Sequence, residues 1–225
     1  MKKEMANLTD KELLDIYAKK YEKGYDNVHV LYDRFIDILG AHQIPPFLAA
    51  IKEFNVPKDS KFLDVGCGTG YSANHLYKMG YTDIEGFEPS VKMIEEAKKK
   101  NIYKKIQQGF LTVPEEMPKE YEEAFDVVFT FGVFMHPNHA DAPAYECLTY
   151  VVRKGGLMIF TTDEFDQTPG EKQYKLKRKS MVKEGKWKML KEYSISKYQG
   201  LTPEIATLGR YSTKRSDTFA VYQKL

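Results

Sequence analysis

Five residues combine type and spacing in a way that suggests chemistry. Asp64, Gly66, Gly68 and Gly70 alternate through DVGCGTG at 64–70, and Glu88 follows eighteen positions after the last of them. The glycines fall where an apolar run (Phe62, Leu63, Val65) ends and a helical pattern (Ala73, Leu76, Tyr77) begins. That order predicts a strand breaking into a helix, with backbone N–H groups turned outward where a ligand can approach the main chain. Glu88 closes a second strand-like stretch, Ile84-Glu85-Gly86-Phe87, in GFEPS. A carboxylate there can accept hydrogen bonds from both hydroxyls of a ribose lying across the same sheet edge. Blander readings exist for each: a turn that binds nothing, and a surface glutamate favoured before a Pro-Ser helix start.

The loop spacing separates the ligand classes. A dinucleotide fingerprint has its third glycine three places after the second, whereas here it comes two places on. No Gly-Lys-Ser/Thr follows, which excludes a phosphate-cradling Walker loop. Asp64 sits badly beside a pyrophosphate and well beside a cation. A sulfonium carrying an α-amino group, as in S-adenosylmethionine (SAM), has that character.

The surrounding pattern supplies elements to hold these residues. Thr9 and Glu12 form a capping-box pair, and Leu13, Tyr17 and Tyr21 then recur on one helical face. Two more helices are expected, one over 28–39 that stops at Gly40 and one from Pro45-Pro46 to Pro57. From 61 onward, short apolar strands alternate with helical patterns, as in a βαβ sheet. Strands are expected at 62–65, 84–87, 104–108, 125–131 and 156–161, with Ser90 capping the helix of Met93, Ile94 and Ala97, and a further helix over 140–152. Two terminal strands, 187–198 and 218–224, should run antiparallel to each other. The fold class is therefore α/β, a Rossmann-like seven-stranded sheet, mostly parallel with an antiparallel last strand, helices on both faces and extra N-terminal helices. A single domain over 1–225 is expected, with a helical cap at 1–57 and a core at 58–225 that carries a lid near 163–183.

Composition bounds the rest. With 42% hydrophobic and 29% charged residues among 225, the chain is ordinary for a globular protein. No apolar run reaches the ~20 residues of a membrane span, and the start lacks a signal-peptide core. Cys67 and Cys147 suggest neither disulfide framework nor metal site, so a cytoplasmic setting is the expectation. The net charge of +2 conceals an asymmetry: 171–225 carries 14 Lys/Arg against 5 Asp/Glu, leaving −7 for the first 170 residues. A basic stretch can serve nucleic acid; the favoured reading is the wetted face of a helix bearing Lys175, Lys177, Arg178, Lys179 and Lys183.

DVGCGTG at 64–70, GFEPS at 86–90, FDVVFTFGVF at 125–134 and VVRKGGLMIF at 151–160 together resemble the class I SAM-dependent methyltransferases over roughly 61–162. IYAKKYEKGYD at 16–26 is similar to the segment preceding many small-molecule members. With Gln173–Lys175 and Gly185–Trp187 it also looks like the Williams–Beuren-region methyltransferase-like proteins. The resemblance implies that Gly66, Cys67 and Gly68 lie against the amino-acid part of SAM, with Asp64 ordering the loop and Gly70 completing it. It implies Glu88 on the ribose, Pro89 at the adenine face, and Phe131 and Gly132 beside the methionine portion. Tyr17 and Tyr21 would close over the cofactor and shape the acceptor pocket. One departure stands out: many members carry a Gly-Asp pair after strand three, and this chain has Gly109-Phe110-Leu111. Adenine recognition would fall to backbone groups and to stacking by Phe110.

The acceptor leaves a weaker trace. In-line displacement at carbon on positive sulfur draws its rate from alignment and desolvation, so no base is obligatory. His136 and His139, in MHPNHAD, are candidates on the acceptor side, with His136 the candidate base; loop histidines without a role are the competing reading. The motifs of amino-methylating and cytosine-C5-methylating DNA enzymes are absent. The expected reaction is transfer of a methyl group to oxygen or nitrogen of a small molecule, with no membrane or nucleic-acid partner. The alternatives are an RNA or protein methylase using the basic C-terminal third, and a SAM-binding subunit without catalysis.

Overall fold

The computed structural model describes residues 8–21, 23–135, 140–163, 169–197, 200, 202 and 216–225, with the side chains of 169–171 excepted. Helix α1 (Asp10–Tyr21) opens on the expected capping box. Thr9 N donates to Glu12 Oε2 at 2.8 Å, and Glu12 N donates back to Thr9 Oγ1 at 3.3 Å. The second expected helix begins later than its sequence pattern suggests: two 3₁₀ turns, Tyr25–Asn27 and His29–Leu31, precede α2 (Tyr32–Leu39). Gly40, at φ +91°, ends it. Helix α3 (Ile44–Glu53) has its prolines in the first turn and stops before Pro57, where Asn55 turns left-handed.

Strands β1 (Phe62–Val65), β2 (Ile84–Glu88) and β3 (Lys105–Gln108) match their patterns. Between them lie α4 (Tyr71–Lys78) and α5 (Val91–Lys99), the latter capped by Ser90 Oγ, which accepts from Met93 N at 3.1 Å. β4 (Phe125–Phe134) and β5 (Val152–Asp163) run longer than expected, flanking α6 (Tyr145–Val151). Helix α7 (Pro169–Lys183) leads to β6 (Trp187–Ser196), and β7 (Ser216–Lys224) ends the chain.

The sheet order is β3-β2-β1-β4-β5-β7-β6, and β7 alone runs antiparallel, to both β5 and β6. Period-two alternation divides its side chains between two layers. Val127, Phe129 and Ile159 join Phe47, Ile51, Ala73 and Leu76 on one face. Val128, Met158 and Phe160 join Tyr145, Leu148 and Trp187 on the other. A third cluster, Leu13, Tyr17, Val28 and Leu31 with Met93, fixes the N-terminal helices to α5.

Polar ties fasten that leader to the glycine turn and to the start of α5. Asp33 accepts from the Thr69 hydroxyl at 2.5 Å and pairs with Lys100 at 2.6 Å. Asp37 accepts from the Tyr71 hydroxyl at 2.5 Å. Asp26 accepts from the Ser90 hydroxyl at 2.5 Å. Of the lid expected near 163–183, residues 164–168 lie outside the described residues. The described side chains of α7 line neither of the two large cavities of the next section; Tyr174 and Met181 pack into the core beside Trp187.

Candidate cofactor and acceptor site

Past Val65 the chain turns left-handed at Gly66, Gly68 and Gly70, with φ of +67°, +53° and +79°. A Cβ on Gly66 would stand 2.3 Å from Val133 Cγ2, whereas one on Gly68 would meet nothing nearer than the Tyr32 ring at 4.0 Å. Gly68 therefore leaves a space that a side chain would fill, and it opens into a cavity of about 580 Å³. The amides behave differently from the expectation of outward-facing donors. Gly66 N and Cys67 N both donate to Phe87 O, at 2.7 and 3.2 Å, Gly70 N donates to Cys67 O, and Gly68 N donates to Glu88. At those four positions the loop's donors are used within the protein. What Gly68 offers the cavity is room.

Glu88 is placed by β2 and held from both sides. Its Oε2 accepts from Gly68 N and its Oε1 from Ser90 N, each at 2.9 Å. Burial pushes its carboxyl above the usual range, and the two amide bonds pull back against that. Each oxygen keeps accepting capacity, and the side chain lines the cavity with Pro89, Phe110, Phe131 and Gly132. The fixed carboxylate, the Cβ-free cradle and a volume within the usual ligand range fit a nucleoside with an amino-acid tail.

Asp64 is 3% exposed and lines a narrow neighbouring recess with Cys67 and Tyr71, not the large cavity itself. Tyr103 donates to its Oδ2 at 2.7 Å. Burial drives its carboxyl up to about 7; the Tyr103 bond opposes the rise and the Glu88 charge adds to it. Such a group gains from a cation placed nearby.

A second cavity, about 380 Å³, adjoins the first through shared walls at Tyr25, Tyr32, Phe131 and Gly132. The junction exists because β4 slips register between Thr130 and Phe134, where Gly132 adopts φ +73°. Tyr17, Tyr21 and Phe35 form its aromatic side; Tyr17 and Phe35 stack with centroids 3.7 Å apart. At its other end stand His42, Lys197 and Asp217. His42 Nε2 lies 2.9 Å from Asp217 Oδ2, while Lys197 Nζ reaches Asp217 Oδ1 at 2.9 Å and Asp163 Oδ1 at 3.2 Å.

The predicted residues thus divide. Gly66, Gly68, Glu88, Pro89, Phe110, Phe131 and Gly132 surround the larger cavity, while Tyr17 and Tyr21 line the smaller one. Gly70 lines neither and closes on the Tyr103 ring. His136 and His139 lie outside the described residues. The sequence reading missed His42, Tyr103, Asp163, Lys197 and Asp217, whose chain separation leaves no local signal, and Asp141, which lines the larger cavity.

Residues 62–156 match the family described as "Methyltransferase domain". That stretch is a methyltransferase domain, and the fold is the Rossmann-like one of SAM-dependent methyltransferases. S-adenosylmethionine is the cofactor that goes with such a domain. The tRNA U34 carboxymethyltransferase of Saccharophagus degradans is 28% identical over 174 residues, 76% of this chain and 47% of that one. The ubiquinone biosynthesis O-methyltransferase of Agrobacterium fabrum is 32% identical over 102 residues, 45% of this chain and 40% of that one. The chain therefore spans about half the length of the curated relatives it matches. Among solved structures, a chain of the Haloferax volcanii complex containing the Trm112 methyltransferase activator superposes with TM-score 0.65. It is 13% identical, and the match covers 89% of this chain and 97% of that one, a likeness of fold. The family match concerns the sheet core and not the narrower Williams–Beuren-region likeness. No described helix is long and apolar enough to cross a membrane, and no described His/Cys/Asp/Glu cluster is arranged to hold a metal.

Proposed function

We propose that this methyltransferase acts on oxygen or nitrogen of a small, largely apolar ring compound seated in the smaller cavity. Bound in the larger cavity, SAM would supply a methyl group on positive sulfur, already activated toward displacement. The chain's part is to hold and to exclude water. Glu88 accepts from the ribose, Gly68 makes room for the amino-acid portion, and Pro89 and Phe110 flank the base. Asp64 provides the charge that favours an ammonium. The observation that carries the reading is the shared Phe131–Gly132 wall, which joins a nucleoside-sized space to an aromatic one.

A second reading, methylation of RNA, draws on the printed name of one relative and on the exposed Lys172, Lys175, Lys179 and Lys183 of α7. Against it, much of the basic third is matched at home: Lys177 and Lys186 pair with Glu146, Arg178 with Glu192, and Lys224 with Glu123. The test offers methyl-labelled SAM and the enzyme to the RNA and small-molecule fractions of one cell extract. Label in the small-molecule fraction supports the proposal. Label in RNA, with binding that weakens steeply as salt rises, overturns it.

A further inference from the structure

We propose that His42, oriented by Asp217, is the general base of this site and removes the proton of the methyl acceptor. The inference rests on the small-molecule reading above and assigns a catalytic residue to it. His42 lines the smaller cavity with only 12% of its side chain exposed, and its Nε2 is 2.9 Å from a carboxylate oxygen that is itself buried. Nδ1 has no partner among the described residues. It is thus the ring atom that remains available to an occupant of the cavity.

The tautomer follows from the partners. Burial works to raise the Asp217 carboxyl, but the His42 hydrogen bond and the Lys197 charge outweigh it and hold the group below the ordinary carboxylate range. Asp163, which shares Lys197, goes the other way, pushed up chiefly by burial and held back by the Lys197 charge. An ionised Asp217 only accepts, and Nε2 must therefore carry the hydrogen. That leaves the Nδ1 lone pair free to act as a base, with the carboxylate behind the ring to stabilise the imidazolium that forms. Lys197 and Asp163 are positioning residues that fix Asp217. The other groups facing the ring from packed elements are neutral: Gln43 and, across the cavity, Tyr17, Tyr21, Tyr25 and Tyr32.

The balance is simple. An electron pair on the acceptor oxygen or nitrogen forms the bond to the methyl carbon. The carbon–sulfur pair departs with sulfur and cancels its positive charge. The acceptor's proton passes to His42 Nδ1 and later leaves to solvent. No oxidant, metal or further reactant is needed.

Nitrogen NMR of the full chain with labelled histidine tests this. The protein is loaded with S-adenosylhomocysteine and titrated with phenol as the acceptor probe, and His42→Gln assigns the signal. The proposal predicts a His42 ring that carries a hydrogen on Nε2, a bare-Nδ1 resonance that shifts as phenol saturates, and loss of that tautomer preference in Asp217→Asn. A ring protonated on Nδ1 overturns it, and so does a phenol titration that leaves the resonance still, whether or not phenol binds elsewhere. The wild-type titration decides the matter even if Asp217→Asn fails to fold. If S-adenosylhomocysteine itself does not bind, the cofactor reading falls first; if it binds and His42 does not respond, only the base assignment falls.

Discussion

Replacing Asp64 by Asn should change how stability depends on pH in a calculable way. The carboxyl is almost wholly buried, and its pKa moves from 3.8 to about 7 on folding. The folded state therefore holds a proton that the unfolded chain has already lost across that window. Stability must fall as pH rises between these two values and level off above the upper one. A rise of about 3 units corresponds to a ceiling of roughly 4 kcal/mol at 1.36 kcal/mol per unit, and water entering the neighbouring recess lowers it toward about 2 kcal/mol. Asparagine keeps the Tyr103 bond through its carbonyl and never ionises. Urea unfolding of the two proteins without ligand should give coincident stabilities near the lower end of the window, the variant becoming the more stable by about 2–4 kcal/mol at its upper end. The same charge links to binding: affinity for SAM, whose α-ammonium favours ionised Asp64, should strengthen as pH rises toward neutrality, and Asp64→Asn should flatten that trend. Stabilities that stay parallel at every pH would refute the assignment of a raised carboxyl.

Two glycines should separate fold from site. Gly66→Ala forces a Cβ onto Val133 at φ +67° and should cost about 3 kcal/mol in denaturant unfolding. Gly68→Ala has room in the fold, so it should cost only about 1–2 kcal/mol of backbone strain. Its methyl points into the larger cavity, and calorimetry should show S-adenosylhomocysteine binding weakened ~10-fold or more. Away from the site, Glu192→Ala strands Arg178, which is 4% exposed and bonded to Glu192 at 3.2 Å. Unfolding should become easier by about 3 kcal/mol with cofactor affinity untouched.

Local patterns carried most of the framework. FDVVFTF is buried at nearly every position because both faces of a central parallel strand are covered, and Thr9–Glu12 specifies a helix start within four residues. The glycine turn and Glu88 were legible for the same reason, since their function is a matter of spacing along one crossover. Strand lengths were not. The last residues of β4 and β5 are set by the bulge at Gly132 and by pairing with β7, neither of which periodicity reports. The polar end of the smaller cavity lay further out of reach: His42, Asp163, Lys197 and Asp217 come from four separate segments, and only the insertion of β7 between β5 and β6 brings them together. The direction of the loop amides was misread because Phe87 O and Glu88, a strand away, take the donors that a lone turn would leave exposed.

The account depends most on Glu88 gripping a ribose at the carboxyl edge of the sheet. Titration calorimetry with S-adenosylhomocysteine on the wild type and on Glu88→Ala addresses that directly. One saturable site in the wild type and a dissociation constant at least ~10-fold higher in the variant is the expected result, since charge-assisted bonds to both hydroxyls are lost. No saturable heat in the wild type, or equal affinities in the two proteins, would contradict it.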